Sequence, residues 1–375
     1  MNVTTVKEKS PFYKTKSSVV FALILILAAL SCAAWFFMRA DKEQTAGAGV
    51  GAGVKTAFTN PVYNHDAPDP TVLKAQDGYY YAITTQSQYE GNLVPLPILQ
   101  SKDLVHWEMK GSVFTYDNVP SWATFDYMWA PHLTYYKGKY YLYYSTRVND
   151  GDPFKGMGIG VAVADNPLGP YKDQGGPVVW GTGFEKIDPF VLDDEDGKRY
   201  LYWGSDKQPI YAAQLAEDGL SVIGEEKAVI YPGAQSREGY DALVEGPWVV
   251  KRNGYYYMFY SGDYCCQDNG HTPHYAVMAA RSKSPTGPFE AYPDNPVLEK
   301  NDAFLAPGHN AVIQDEAGTD WMLYHAFNQK DITSSGRVMM LDRIDWKNGW
   351  PVIDGGAGPS SALQQDGPVT SGKSK

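Results

Sequence analysis

Two aspartates, a glutamate, a histidine and a tryptophan share one phase of this chain. Asp69, Asp188, Glu245, His309 and Trp129 each stand nine residues before a glycine that opens an aromatic-rich segment. Three carboxylates brought to one place can do acid–base work. Like charges at short range push at least one carboxyl pKa upward, so one group stays protonated near neutral pH beside another that stays ionised. Cleavage of a glycosidic bond asks for such a pair: one acid protonates the leaving oxygen, one carboxylate activates water. A third can orient the acid or raise its pKa. The competing reading of Asp69-Pro70 and Asp188-Pro189 is turn initiation, and the shared phase of three carboxylates argues against it. Asp66 competes with Asp69 within HDAPDP, but only Asp69 holds the phase and leads directly into TVL.

The elements that position these residues are repeats. DGYYYAITTQ from Asp77, KGKYYLYYST from Lys137, DGKRYLYWGS from Asp196, NGYYYMFYSG from Asn253 and AGTDWMLYHA from Ala317 are each a turn running into a strand. Their glycines, Gly78, Gly138, Gly197, Gly254 and Gly318, lie 60, 59, 57 and 64 residues apart. Runs of Tyr, Val, Ile, Trp and Phe between Gly, Pro, Asn and Asp are strand and turn chemistry. Strand-only repeats of this length predict an all-β, five-bladed β-propeller over residues 57–355. PDPTVLKAQ, MWAPHLTYY, IDPFVLDDE, VEGPWVVKR and GHNAVIQDE fit the inner strands, which places the five phase-sharing residues in a ring at one mouth of a central channel. VAVADNPLGPYKD and MAARSKSPTGPFEAY repeat a second pattern, read as outer strands and their turns. LDDEDGK, from Leu192, reads as a solvated hairpin tip.

Outside the repeats, residues 1–17 form a basic N-terminal tail. An apolar run follows, within residues 18–39, broken only by Ser31. Twenty helical residues span about 30 Å, a bilayer core. The basic flank favours a cytoplasmic N-terminus and an exported, membrane-anchored domain; a cleaved signal peptide and lipidation at Cys32 are the alternatives. Residues 40–56 read as a flexible Gly-rich linker and 356–375 as a disordered tail. The net charge of −11 with no basic stripe argues against nucleic acid. Cys265 and Cys266 suit a vicinal disulfide in an oxidising compartment; a metal cluster with His271 and His274, or free thiols, are the other readings. His325 reads as structural.

The segments resemble glycoside hydrolase family 43, whose arabinanases, arabinofuranosidases and xylosidases are five-bladed propellers. The likeness covers about residues 60–352. PDPTVL resembles the family's first acidic motif, which implies that Asp69 is the general base. KIDPFVLDDEDGKRYLYWGS resembles the second, making Asp188 the residue that orients the acid and modulates its pKa. VEGPWVVKRNGYYYMFYS is the most specific match and makes Glu245 the general acid. MWAPHLTYY implies that Trp129 walls the sugar site, and GRVMMLDRIDWKNGWPVI that Arg337 reaches it. GHNAVIQD implies that His309 sits near the channel axis, beside a calcium ion in many members. Phe125, in the loop FTYDNVPSWATFDYMW, is a further candidate substrate contact.

The resemblance implies inversion of anomeric configuration on an arabinose- or xylose-containing glycan, with arabinan favoured over xyloside substrates. Two other functions fit the same blades. One is a carbohydrate-binding propeller without catalysis, which would often have lost a carboxylate. The other is a phosphorylase, which would need a basic phosphate pocket that the inner strands do not supply.

Overall fold

Each repeated aromatic segment forms the second strand of an antiparallel sheet, and the segment before it forms the first. The inner strands are Thr71–Lys74, Ala123–Tyr136, Phe190–Asp193, Val244–Arg252 and Phe304–Gln314. The second strands are Tyr80–Ile83, Lys139–Val148, Arg199–Trp203, Tyr255–Tyr264 and Asp320–Asn328. Each sheet adds two outer strands in sequence order, and the second sheet gains one more, Val179–Trp180. Each inner strand neighbours the next, and the last returns to the first. The ring is a five-bladed propeller, as the repeat predicted. The computed structural model describes residues 1, 53–149, 156–233, 239–266, 272–332, 335–356, 358–361 and 364–371.

The second strands carry consecutive aromatics because both faces of a blade are covered by its neighbours. Apolar cores therefore lie between blades: Ile83, Leu133, Leu142 and Tyr144 between the first two, Tyr202, Met258, Tyr260 and Met278 between the third and fourth. Each such side chain contributes about 1.5–3 kcal/mol of burial. Inside the ring three rings fill the space between inner strands. His132 lies 4.6 Å from Phe190 and 5.2 Å from Trp248, and Phe190 lies 4.9 Å from Trp248, centroid to centroid. The second repeat forms the third strand in each of two blades, Met157–Ala164 and His274–Ser282.

Two expectations need correction. The tail read as disordered is partly strand. Val369–Thr370 pairs with Val54–Lys55, and Phe58 bridges Gln365. Asp315 Oδ2 accepts from the Val369 amide at 2.9 Å, and Asn60 Nδ2 donates to the buried Ser360 at 2.7 Å. Polar, Gly-rich composition hid this because the order comes from pairing with the start of the body, which begins at Gly53 rather than residue 57. Second, LDDEDGK is more than a solvated tip, since Asp194 accepts from Tyr256 Oη at 2.7 Å and Lys251 Nζ at 3.1 Å on the next blade. The apolar run within 18–39 lies outside the described residues; among those described, no helix is long and apolar enough to cross a membrane.

Candidate active site

Every blade bends the chain within or just before its inner strand, through a residue of positive φ near the shared phase. These are Asp69 (53°), Ala130 (44°), Asp188 (61°), Gly246 (58°) and His309 (46°). Four of them precede a proline, and in the second, fourth and fifth blades the pairing register slips there. Such bulges re-aim side chains beside active sites. In the second and fourth blades the bent residue follows the phase-sharing one, so Trp129 and Glu245 stand one position ahead of the bend. A left-handed non-glycine residue costs about 1–3 kcal/mol and needs support.

The support comes from the second strands. The residue seven past each repeated glycine is Thr85, Ser145, Gly204, Ser261 and His325. Thr85 Oγ1 accepts from the Ala130 amide at 2.7 Å, Ser145 Oγ from Asp188 at 2.9 Å, and Ser261 Oγ from His309 at 2.8 Å. His325 Nδ1 lies 3.2 Å from both the Asp69 amide nitrogen and its Oδ1. Each blade thus pins the bend of the next. The third blade differs: Ser205, one residue later, donates instead to Glu245 Oε2 at 2.5 Å, and the Gly246 amide donates to Asp188 Oδ2 at 3.0 Å. His325, read as structural from the sequence, touches the site directly.

Asp69, Asp188, Glu245, His309 and Arg337 come together, and all three carboxyls are buried. Asp69 accepts from Thr85 Oγ1 at 2.5 Å and Arg337 Nη1 at 3.0 Å. His309 Nδ1 stands between two of them, 3.5 Å from Asp69 Oδ1 and 3.7 Å from Asp188 Oδ2. Glu245 accepts from Tyr275 Oη at 2.7 Å as well as from Ser205. Asp66 accepts from the Arg337 amide at 2.9 Å, outside the trio. Tyr275 and His325 stack at 5.8 Å with their planes 5° apart, so these rings stand side by side between Glu245 and Asp69.

The three carboxyls differ electrically. Burial alone would raise Asp69, but Arg337, then His309 and His325, outweigh it and hold Asp69 well below the usual carboxylate range. Burial pushes His325 down to about 4, so it is neutral at pH 7 and Arg337 is the cation that matters. Burial, then Glu245 and Asp69, raise Asp188 well above its ordinary value. Burial raises Glu245 to about 7, against the hydrogen bonds from Ser205 and Tyr275. Asp188 and Glu245 titrate as a pair, both raised.

Trp129 and Phe125 lie on the inner strand of the second blade. Trp129 stacks on Phe184 at 5.9 Å, and Phe125 on Tyr116 at 3.6 Å. Cys265 and Cys266 form a vicinal disulfide, which removes both thiols from any metal cluster. His271 lies outside the described residues, and His274 faces Asp263 Oδ2 at 2.6 Å. For calcium the donor set fits poorly. The ion wants six to eight oxygens, whereas His309 offers nitrogen, and among the described residues no three His, Cys, Asp or Glu side chains could hold a metal. The buried, unpartnered amide of Asn310 and imidazole of His132 suit ordered water.

Gly246 leaves little room. A Cβ there would stand 3.2 Å from His309 Nδ1, at a φ that L-residues avoid. Gly246→Ala is expected to cost about 1–3 kcal/mol, seen as a lower urea midpoint at unchanged m-value.

Buried carboxyls of unlike acidity at the mouth of a five-bladed propeller define a glycoside-hydrolase site. The model of glycosyl hydrolases family 43 matches residues 58–351, and the chain belongs to that family. It is 32% identical over 303 residues to the Beta-D-galactofuranosidase xynD of Aspergillus niger, covering 77% of this chain and 82% of that one. It is 29% identical over 300 residues to the Extracellular endo-alpha-(1->5)-L-arabinanase 1 of Bacillus subtilis, covering 76% and 86%. The crystal structure of a thermostable family-43 glycoside hydrolase superposes with a TM-score of 0.69 at 31% identity, covering 83% of this chain and 99% of that one.

Proposed function

We propose that this chain is an inverting glycosidase of arabinose- or xylose-containing glycans, with arabinan the favoured polymer. The observation that carries the reading is the unequal treatment of the carboxyls. Asp69 is fastened to a guanidinium and stays ionised, which suits a base that deprotonates water. Glu245 is buried, meets only neutral donors and titrates near 7, which suits an acid that protonates the departing oxygen. Asp188, bound to the amide that follows Glu245, orients that acid and keeps its proton. Arg337, Trp129, Phe125 and His309 border the sugar. Inversion requires acid and base carboxyls about 6.5–9.5 Å apart, leaving room for water. The relatives' names differ in sugar, and the preference for arabinan rests on the likeness of the HDAPDP opening, the GHN motif and the GWP ending to arabinanase sequences. Calcium enters no step of this reading.

The test is hydrolysis of linear arabinan, nitrophenyl α-L-arabinofuranoside and nitrophenyl β-D-xyloside, with product anomers followed by NMR. Inverted product from any of them supports the reading; retained configuration, or no turnover by folded protein, removes it.

Tyr275→Phe provides a signed test of the acid. The hydroxyl donates to Glu245 and favours its ionised form, so its loss raises the Glu245 pKa. The acid is active while protonated, so the alkaline limb of kcat/KM should move up by about one pH unit. A limb that stays or moves down would remove Glu245 from that role.

A further inference from the structure

The vicinal disulfide has no place in the acid–base scheme, yet it abuts one of its members. Cys265 directly follows the second strand of the fourth blade, Tyr255–Tyr264, in which Ser261 pairs with Glu245. On its other side that strand pairs with His274–Ser282, setting Asp263 opposite Tyr275 and Tyr264 opposite His274. Asp263 Oδ2 and His274 Nδ1 tie the two strand ends at 2.6 Å. Tyr275 is buried, and its Oη donates to Glu245 Oε1. Packing sets where that hydroxyl points. A Cβ on Gly308 would stand 2.1 Å from the ring, and His325 stacks beside it. Ala306 and Phe327 complete a small cluster with Tyr275, and Cys265 packs against that cluster. Both cysteines are partly exposed, so solvent reaches the bridge.

Chain-entropy stabilisation grows with the loop that a disulfide closes, and neighbouring residues close the shortest loop there is. The bridge therefore adds little to global stability. Its effect is local: the covalent ring stiffens the peptide between the cysteines and fixes Cys265 against the Tyr275 cluster. We propose that the Cys265–Cys266 bridge positions Tyr275 on Glu245 and that a dithiol reductant, by opening it, weakens that hydrogen bond; the inference rests on the glycosidase reading. One thiolate of the reductant attacks a bridge sulfur and forms a mixed disulfide, which its second thiol then displaces. The bridge gains an electron pair and a proton on each sulfur, and the reductant leaves as a disulfide. Exposed bridges are the labile ones. The charged and titratable groups around Glu245 are Asp69, Asp188, His309, Arg337 and Tyr275, and His325 and the Asp263–His274 pair flank Tyr275 itself. Of those around Glu245, only Tyr275 belongs to the cluster under Cys265. Its hydroxyl favours the ionised carboxyl, so a weaker bond leaves Glu245 protonated to higher pH.

The test follows the pH profile of kcat/KM on arabino- and xylo-oligosaccharides in the whole protein. It is recorded before dithiothreitol, after it, and after reoxidation by diamide, with free thiols titrated each time. Reduction is expected to move the alkaline limb up by about 0.5 pH unit, and reoxidation to bring it back. The double variant Cys265→Ser, Cys266→Ser should match the reduced protein, and the limb of Tyr275→Phe should not respond to reductant. The melting temperature should change by less than about 2 °C. A limb that stays while both thiols are free overturns the proposal, as does an equal move in Tyr275→Phe. A bridge that dithiothreitol does not open overturns control by a reductant, and a double serine variant with the wild-type limb overturns the positioning. Global unfolding on reduction overturns it too, since the bridge would then only hold the fold. If the folded protein hydrolyses nothing, the glycosidase reading falls. Infrared titration of the carboxyl that Glu245→Gln removes then decides the proposal alone: a midpoint raised by reduction upholds the positioning, and an unmoved one overturns it.

Discussion

Asp69→Asn should lower kcat/KM by about 10²–10⁴-fold on every substrate, whatever its leaving group. Asparagine keeps the shape, tolerates positive φ and can still accept from Arg337 through its one oxygen, its NH2 turned to the Thr85 hydroxyl. What it lacks is the charge that takes a proton from water. The loss should therefore appear without loss of sheet structure by circular dichroism. Because the Asp69 carboxyl is held below the usual range, mainly by Arg337, the wild-type acid limb should lie below ordinary carboxylate values. A variant retaining more than a tenth of wild-type activity would exclude Asp69 as the base.

Glu245→Gln should show the opposite selectivity. Nitrophenolate leaves without help, whereas a sugar alkoxide needs a proton. Hydrolysis of arabinan or oligosaccharides should fall by about 10²–10⁴-fold, and hydrolysis of nitrophenyl glycosides by much less. The wild-type rate should fall as pH rises through about 7, where Glu245 loses its proton. In the variant that limb should vanish. Equal losses on both leaving groups, with the limb intact, would mean that the proton comes from elsewhere.

The carboxyls and His309 were legible because a blade is a repeat, and a side chain needed at the axis must occur at a fixed distance from a turn. At Trp129 and Glu245 the bend falls one residue past the shared phase, because those two blades turn between Tyr136 and Lys139 and between Arg252 and Tyr255, a tighter turn than in the other three. The supporting layer was legible in principle: Thr85, Ser145, Ser261 and His325 stand seven past the same glycines, inside segments already read as strands. It was missed because hydroxyls at strand ends pass for solvent-facing groups. Tyr275 had no such signal. It lies on a third strand, and only packing against Gly308 and His325 brings it to Glu245. Arg337 entered by resemblance alone, since nothing in its spacing marks it. The clasp of both ends was illegible because Val369 and Thr370 are ordinary until Val54 and Lys55 lie beside them.

The order of synthesis gives that clasp a consequence. Asp69 emerges early from the ribosome, but Arg337 and His325, which hold its charge and bend, lie 268 and 256 residues further on. The strand that locks the first blade to the last arrives later still, at Val369. A nascent chain can stack four blades and still carry an unneutralised base on an open arc. The site should appear in one late step, when the fifth blade is complete and the ends meet, so that a polypeptide cut short anywhere before that blade is inert rather than partly active.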